Sequence, residues 1–259
     1  MEQLTHRATF GFVIHPSQTL LSQAIDSFHR DLRGFLSSLA YHPPEVKKTT
    51  LDLRHLVVDD DSIGKKRFDV ILLVCLTFNT PMTHQNAEKI RSDSQEQFHN
   101  LLSLHLGPYE FRVEALEENK LKELIKPFAV VEVIEIARMI LNHKPFNLAH
   151  FGGNSTMTKI VDMLLREKGQ YYLSVLLEPH QLSEQESITM GAFGYKGFLP
   201  DQIDQEILRA MPGLKEQTQA MFSWFRMKIR LVADRKISQY LINLVGSDVT
   251  LPQNRAIEK

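Results

Sequence analysis

The length and composition of the chain are those of an ordinary globular protein. It has 259 residues, of which 43% are hydrophobic and 24% charged, which excludes a disordered tail, a collagen-like fibre and a low-complexity linker. Its 30 basic and 31 acidic residues leave a net charge of -1. The chain therefore lacks the overall positive charge that is typical of general nucleic-acid binding, but a local basic patch is compatible with this balance.

The compartment signals favour the cytoplasm. The single cysteine, Cys75, excludes an intrachain disulfide and fits a reducing compartment. Charged residues interrupt the N-terminus, so there is no secretory apolar core. The most apolar run, 68–78, is shorter than the about 20 residues that a membrane-spanning helix needs. It is typical of a strand buried on both faces, with Cys75 as inert core.

The first half of the chain is predicted to alternate strands and helices. Apolar alternation predicts strands, apolar spacing of three and four residues predicts amphipathic helices, and proline or glycine marks their ends. Pro81 is expected to end the strand that contains Cys75. The predicted strands are 8–14, 51–58, 68–78 and 109–116, the predicted helices are 17–41, 87–104 and 121–125, and 130–141 is either a helix or a strand.

The second half follows the same pattern. Asn154 and Ser155 are a candidate cap for a helix that Gly169 ends, and Pro179 is expected to end the strand after it. Gly246 is placed as the C-cap of the last helix. The predicted strands are 171–177 and 225–233, and the predicted helices are 154–168, one that begins at 183, 203–211, 214–224 and 237–245.

Repeated helix–strand units imply an α/β or α+β fold, with mixed or antiparallel sheets flanked by helices. Antiparallel pairing within split βαβ units is preferred, because several strands alternate in polarity instead of running apolar throughout. The stretch 144–153 contains Pro and Gly and is the best candidate boundary. We therefore predict two subdomains, 1–145 and 154–250, with a tail at 251–259.

A nucleotide-binding P-loop is missing from the sequence. The motif G-x-x-x-x-G-K-[ST] lets backbone amides and a lysine cradle phosphate. The only Gly-Lys pair, Gly64-Lys65, is followed by Lys66, and Asp59 stands where the first glycine should be. We therefore expect a chain that does not hydrolyse nucleotide by itself, with no cofactor and no assigned catalytic residue.

Two further motifs fit structural roles better than chemical ones. Gly191, Gly194 and Gly197 are spaced G-x-x-G-x-x-G, which differs from the dinucleotide motif and is typical of a flexible connector. Ser155 and Thr156 follow a glycine pair without the G-x-S-x-G elbow of a hydrolase. A helix N-cap explains these two residues better than a nucleophile.

One helix carries a spacing that suits a metal ion. Glu96 and His99 lie at i and i+3, as in carboxylate-bridged metal centres, but a second motif of this kind is lacking. Glu132 and Glu135 share the spacing without a histidine. A chain with 11 histidines produces such pairs by chance, so a solvated helix face is the simpler interpretation and no metal site is assigned.

The best basic patch lies on and after the last predicted strand. Arg226, Lys228 and Arg230 fall on one side of this strand, and Arg235 and Lys236 follow in the next turn. Such a row suits contacts with nucleic-acid phosphates or with the acidic surface of a partner. An ordinary solvated strand face explains the same residues.

Four segments of the chain carry a family resemblance. They are YEFRVEALEENKLKELIKPF (109–128), MLLREKGQYYLSVLLEPHQLSEQE (163–186), LPDQIDQEILRAMPGLKEQ (199–217) and FRMKIRLVADRKISQYLINLVGSDVT (225–250), and together they cover about a third of the chain. Read in order, they resemble the region that precedes the P-loop in HerA-like and type IV secretion ATPases, which are ring-forming DNA and protein translocases. In that family this region is non-catalytic, assembles the ring and receives partners, while the motor domain that follows binds nucleotide. The sequence ends at Lys259 before any motor motif, so the resemblance implies an N-terminal region without its motor.

Three functions follow from these observations. The first is a non-catalytic assembly or interaction region of a HerA-like DNA translocase, which acts by self-association or through a partner protein. The second is a stand-alone module that binds protein or nucleic acid through the basic patch. The third is a metal-dependent hydrolase built around Glu96 and His99.

Overall fold

The computed structural model describes residues 4–16, 35, 44–60, 64–106, 111–136, 146–147, 156–180 and 224–250. Within these ranges the strands are β1 (Leu4–Pro16), β2 (Val46–Asp60), β3 (Lys65–Thr83), β4 (Phe111–Ala115), β5 (Glu132–Ile136), β6 (Phe146–Asn147), β7 (Tyr171–His180) and β8 (Trp224–Ala233). The helices are α1 (His84–His105), α2 (Glu118–Ile125), α3 (Thr156–Arg166) and α4 (Gln239–Thr250). The architecture is α+β, as predicted.

All eight strands belong to one sheet, in the order β4-β1-β3-β2-β7-β8-β5, with the short β6 also paired to β8. Every pairing in the sheet is antiparallel. This result confirms the preferred antiparallel arrangement, and it explains why exposed strands alternate in polarity. The sheet continues from the region before residue 145 into the region after residue 154, because β7 pairs with β2.

The sheet consists of two units with the same topology. In the first unit β4, β1, β3 and β2 lie side by side, which is the strand order of the split βαβ arrangement. In the second unit β5, β8 and β7 repeat the order of β1, β3 and β2, and α4 follows β8 as α1 follows β3. The equivalent strands β2 and β7 join the two units.

One face of the sheet, the back face, packs against α1, α3 and α4. In the first unit α1 covers side chains such as Phe10, Phe12 and Leu72. In the second unit α3 and α4 cover Leu173 and Leu231. These large apolar groups are almost fully withdrawn from water, and this burial is the main favourable term in folding.

The opposite face, the front face, has a smaller core under α2. Val13, Leu56 and Ile71 pack there with Leu121 of α2. Because β3 contributes buried side chains to both faces, its residues 69–74 are all buried. This pattern confirms the prediction that the apolar run is a two-sided strand.

The strand and helix predictions are confirmed in most places. Some predicted ends are wrong: Pro81 and Pro179 do not end their strands, and Gly246 does not end the last helix. β3 continues through Pro81 to Thr83, because Pro81 lies where the pairing with β1 slips between Thr5 and Arg7. A proline without an N–H is tolerated where the ladder is already irregular.

The second proline, Pro179, lies inside β7. The ladder between β2 and β7 has ended at Leu177, so the missing N–H of Pro179 leaves no described partner unsatisfied. The last helix is also longer than predicted. α4 continues through Gly246 to Thr250, so Gly246 is not its C-cap.

The structure settles the ambiguous stretch 130–141 in part, because β5 is a strand. Phe35, from the helix predicted at 17–41, is helical and packs edge-on against Phe98 of α1. The rest of that helix, the helices predicted after residue 180 and the glycine-containing loop with Gly191, Gly194 and Gly197 lie outside the described residues. So do Asn154 and Ser155 and the tail 251–259.

Candidate interaction surface

Two of the predicted patch residues share the front face of β8. Lys228 and Arg230 expose 58% and 42% of their side chains, whereas Ile229 and Leu231, which alternate with them along the strand, are buried. The two-residue period of a strand places the cations on one face and the apolar residues on the other. The predicted alternation of this strand is therefore observed.

A single carboxylate lies between these two cations. Glu135 of β5 is directly opposite Arg230 in the strand register. Its Oε2 lies 3.0 Å from Arg230 Nε, and its Oε1 lies 4.0 Å from Lys228 Nζ. Two positive charges therefore share one negative charge, so these three side chains together keep a net positive charge. Exposed pairs of this kind contribute about 0–1 kcal/mol to stability.

The remaining patch residues lie elsewhere along the chain. Arg226 is opposite Glu178 in the register. Arg235 follows the end of β8, where its Nε lies 3.2 Å from Asp234 Oδ1. Lys236 is exposed beside it. The structure thus groups Lys228 with Arg230 and places Arg235 in the turn after the strand.

The front face also holds a polar cluster that sequence reasoning missed. Ser174 Oγ donates a hydrogen bond of 2.6 Å to Asp52 Oδ1. Arg54 Nε lies 2.8 Å from Asp52 Oδ2, and its guanidinium stacks over the Tyr172 ring at 4.8 Å. Burial raises the pKa of Tyr172, against the opposing effect of Arg54.

The same arginine anchors α2. Arg54 Nη1 donates to the backbone oxygens of Leu124 and Ile125 at 2.9 and 3.0 Å, so a strand side chain satisfies carbonyls at the helix C-terminus. Each of these contacts joins Arg54 to another part of the same chain. The period-two spacing of Asp52 and Arg54 could have signalled a shared face, but their partners, about 70 and 120 residues away, leave no local signal.

A lysine has the same role on the back face. Lys66 Nζ donates to the backbone oxygens of Leu164 and Gly169 at 3.1 and 2.6 Å, and also to that of Glu167. These carbonyls lie at and just after the end of α3. Burial lowers the pKa of Lys66, with Asp59 acting in the opposite direction. Lys66, which follows the Gly64-Lys65 pair of the failed P-loop motif, is therefore bound to protein carbonyls.

The Gly64-Lys65 pair itself occupies a turn between two strands. Gly64 has a φ of +60°, a left-handed conformation that suits glycine. A P-loop instead connects a strand to a helix whose N-terminus faces the phosphate. The local geometry here is therefore that of a β–β connection.

The two residues of the Glu96–His99 pair have different surroundings: Glu96 faces solvent and His99 contacts the protein backbone. Glu96 is exposed on α1. His99 Nε2 lies 3.2 Å from the backbone oxygen of Val113, and its ring lies 6.2 Å from that of Phe12. Among the described residues, no group of three or more His, Cys, Asp or Glu side chains is placed to hold a metal ion. Ser155 lies outside the described ranges, and Thr156 is the first residue of α3.

No protein-family model and no curated protein matches this chain. None of the described helices is long and apolar enough to cross a membrane.

Proposed function

We propose that this chain is a non-catalytic assembly and interaction region, derived from the part of a HerA-like DNA-translocating ATPase that precedes the P-loop. The observation that carries the proposal is the fusion of two equivalent units, edge to edge, into one antiparallel sheet. A sheet extended in this way offers long edges and faces to neighbouring subunits.

The bonding of three part-buried polar groups supports the non-catalytic part of the proposal. Arg54 and Lys66 each bind helix-terminal carbonyls, and Asp52 binds Arg54 and Ser174. A catalytic group needs an open coordination or hydrogen-bonding position for substrate. Arg54, Lys66 and Asp52 instead use their hydrogen-bonding groups in contacts within the fold.

The HerA-like origin rests on the resemblance of the four segments. Three of them contain described elements of the sheet, namely β4 with α2, β7, and β8 with α4. The reading frame after the codon for Lys259 tests this part. A P-loop encoded there supports the origin, and a frame without one removes it. Self-association, measured as the mass of the chain in solution, tests the assembly part.

Binding of nucleic acid is the second candidate, because Lys228 and Arg230 are half-exposed on one strand face and share a single carboxylate. Phosphate contacts by such side chains make binding strongly dependent on salt. A gel-shift titration at several salt concentrations tests this candidate. Its charge-reversal variant is Arg226→Glu with Arg230→Glu.

If the patch binds nucleic acid, one substitution should weaken binding and another should strengthen it. Charge reversal should abolish the shift, whereas Glu135→Gln should tighten binding because it frees both cations from their shared carboxylate. Loss of one phosphate contact should reduce the salt slope by about one. Lys122→Glu is the matched control, since Lys122 is an exposed and ion-paired lysine on α2. Equal binding by all four proteins would dismiss the patch.

A further inference from the structure

A histidine is buried in the seam where the two units of the sheet meet. His55 of β2 lies opposite Val70 of β3 on one side and opposite Leu173 of β7 on the other. Its neighbours along β2, Leu53 and Val57, pack on the back face, and the two-residue period of a strand gives His55 the same face. The imidazole is fully withdrawn from water there.

The helix α3 belongs to the second unit but packs across this seam. It contacts β2 and β3 of the first unit as well as α4 of the second. Its buried side chains Ile160 and Leu164 share an apolar cluster with Val57. Phe68, on which the His55 ring stacks, packs against the same cluster. The helix therefore lies over the part of the sheet that surrounds His55.

The attachment of α3 to the first unit combines this apolar packing with one polar anchor. Lys66 of β3 donates to the backbone oxygens of Leu164 and Gly169 at and after the end of the helix. α3 has 11 residues, and a helix of this length depends on tertiary contacts for its stability. Elements of this kind open locally at a lower free energy than the whole domain.

The seam is unfavourable for a charged imidazole. Burial lowers the pKa of His55 to about 4, against the effect of a hydrogen bond with the Leu173 backbone, and no charged side chain of the described residues contributes. Burial of a charge without an opposite charge beside it is costly. The closed structure therefore holds His55 in its neutral form.

The ionisable groups around His55 are engaged elsewhere or exposed. On the back face, Lys66 bonds to the carbonyls at α3 and Tyr171 Oη donates to the Lys168 oxygen. The others on the adjoining parts of these elements are Asp52, Arg54 and Asp59 of β2, Lys65, Arg67 and Asp69 of β3, Tyr172 and Glu178 of β7, Lys159, Asp162 and Arg166 of α3, and His99 and His105 of α1. Asp59, Lys159, Asp162 and Arg166 are exposed.

We propose that α3 is an acid-released latch on the junction of the two units, and that His55 is its sensor. When His55 takes up a proton, α3 leaves the seam while the strands beneath it stay paired, and water reaches the imidazolium. Because the closed form binds the proton more weakly than the open form, a fall in pH from about 6.5 towards 4 favours the open form. The latch goes beyond the proposed function, because it acts whether or not the chain self-associates.

Native-state amide hydrogen exchange of the whole chain by NMR tests the latch, with rates corrected for the intrinsic effect of pH. The amides of Ile160, Val161 and Leu164 should exchange through an opening whose free energy and urea dependence are smaller than those of global unfolding. Their protection should fall about twentyfold between pH 7 and pH 5. The amides of Leu101 and Leu102 in α1 are the reference and should stay better protected than those of α3 at each pH.

Two variants connect the opening to the sensor. In His55→Gln the protection of α3 should no longer depend on pH, whereas His84→Gln, at an exposed position on α1, should keep the twentyfold fall. Three results would overturn the inference: α3 amides that exchange only by global unfolding, an α3 opening that is independent of pH in the wild type, or an unchanged pH dependence in His55→Gln. The first two are measured on the wild type, so the test decides even if His55→Gln does not fold.

Discussion

His55 is a buried side chain whose surroundings decide its charge. It is withdrawn from water in β2, and its ring stacks on Phe68 with centroids 6.2 Å apart. Burial lowers the pKa of His55 to about 4, although a hydrogen bond with the Leu173 backbone acts in the opposite direction. The imidazole is therefore neutral in the folded chain at pH values where an unfolded histidine is already charged.

This pKa predicts a loss of stability in mild acid. Above about pH 6.5 the residue is neutral in both states, and between pH 6.5 and 4 only the unfolded chain takes up the proton. The free energy of unfolding should thus fall as the pH drops through this window, by about 3 kcal/mol from His55 alone. Urea unfolding at a series of pH values measures this change.

The variant His55→Gln isolates the effect. It should lower stability at pH 7, but its unfolding free energy should lose about 3 kcal/mol less than that of the wild type between pH 7 and pH 4. His84→Gln, at an exposed position on α1, should keep the wild-type slope. Identical slopes for His55→Gln and the wild type would contradict the buried neutral imidazole.

Lys66 makes a second prediction at the scale of one residue. Lys66→Met keeps the aliphatic stem but leaves the carbonyls at the end of α3 without their donor. Loss of hydrogen bonds from a charged donor should cost about 1–3 kcal/mol of unfolding free energy. Lys65→Met removes an exposed neighbour and should change stability by less than about 0.5 kcal/mol. Equal effects of the two substitutions in urea unfolding would refute the capping role.

At the scale of elements, the anchoring of helices by strand cations is the recurring device. Arg54 bonds to the C-terminal carbonyls of α2, and Lys66 does the same for α3. Cations complement the negative end of a helix dipole, so each contact also gains electrostatically. Both helices are short, and such helices depend on tertiary contacts for their stability.

Gly169 completes the anchor at α3. Its φ of +91° lies in the left-handed region that suits glycine. The helix ends at Arg166, three residues before Gly169, so Gly169 shapes the turn after α3 and does not end the helix as predicted. A Cβ at this position would lie 2.0 Å from Arg235 Nε and 2.5 Å from Asp234 Oδ1. The glycine thus permits both the turn into β7 and the close approach of the residues after β8.

Local sequence signals predicted most of these elements and few of their partners. The period of two in 225–233 predicted β8, and the apolar spacing in 87–104 predicted α1. The pairing of Arg230 with Glu135 joins residues 95 apart in sequence, and the bond from Lys66 to Gly169 joins residues 103 apart. Such contacts depend on strand order, which a local pattern does not encode.

The misjudged prolines have the same cause. A proline disfavours a central strand only where its N–H would bond to a neighbour. Whether Pro81 and Pro179 have such a neighbour depends on where the ladders with β1 and β2 slip or end. The candidate patch has the same limit. The sequence predicts that Lys228 and Arg230 share a strand face, but the position of Glu135 between them depends on the pairing of β5 with β8.

At the scale of the whole molecule, the repeated unit organises the sheet. The units meet through β2 and β7, which pair over seven residues from Leu51 with Leu177 to Val57 with Tyr171. Because β2 and β7 are equivalent strands and pair antiparallel, an approximate two-fold rotation relates the two units. The apolar core continues across this junction, since Val175 and Leu177 of β7 pack with Leu51 and Leu53 of β2.

Charge is also distributed over the whole surface. The net charge is -1, and described cations such as Lys48, Arg67 and Arg112 each lie within 4 Å of an acidic side chain. A surface of this kind favours contacts of matched shape and local charge over long-range attraction of a polyanion. This property agrees with an assembly region better than with a general nucleic-acid binder.

The most direct test of the central proposal is the mass of the chain in solution. Sedimentation equilibrium over a dilution series should give an average mass above the 29.8 kDa of one chain, rising with concentration as mass action requires. A mass of one chain at every concentration would contradict self-association and remove the assembly function as proposed here.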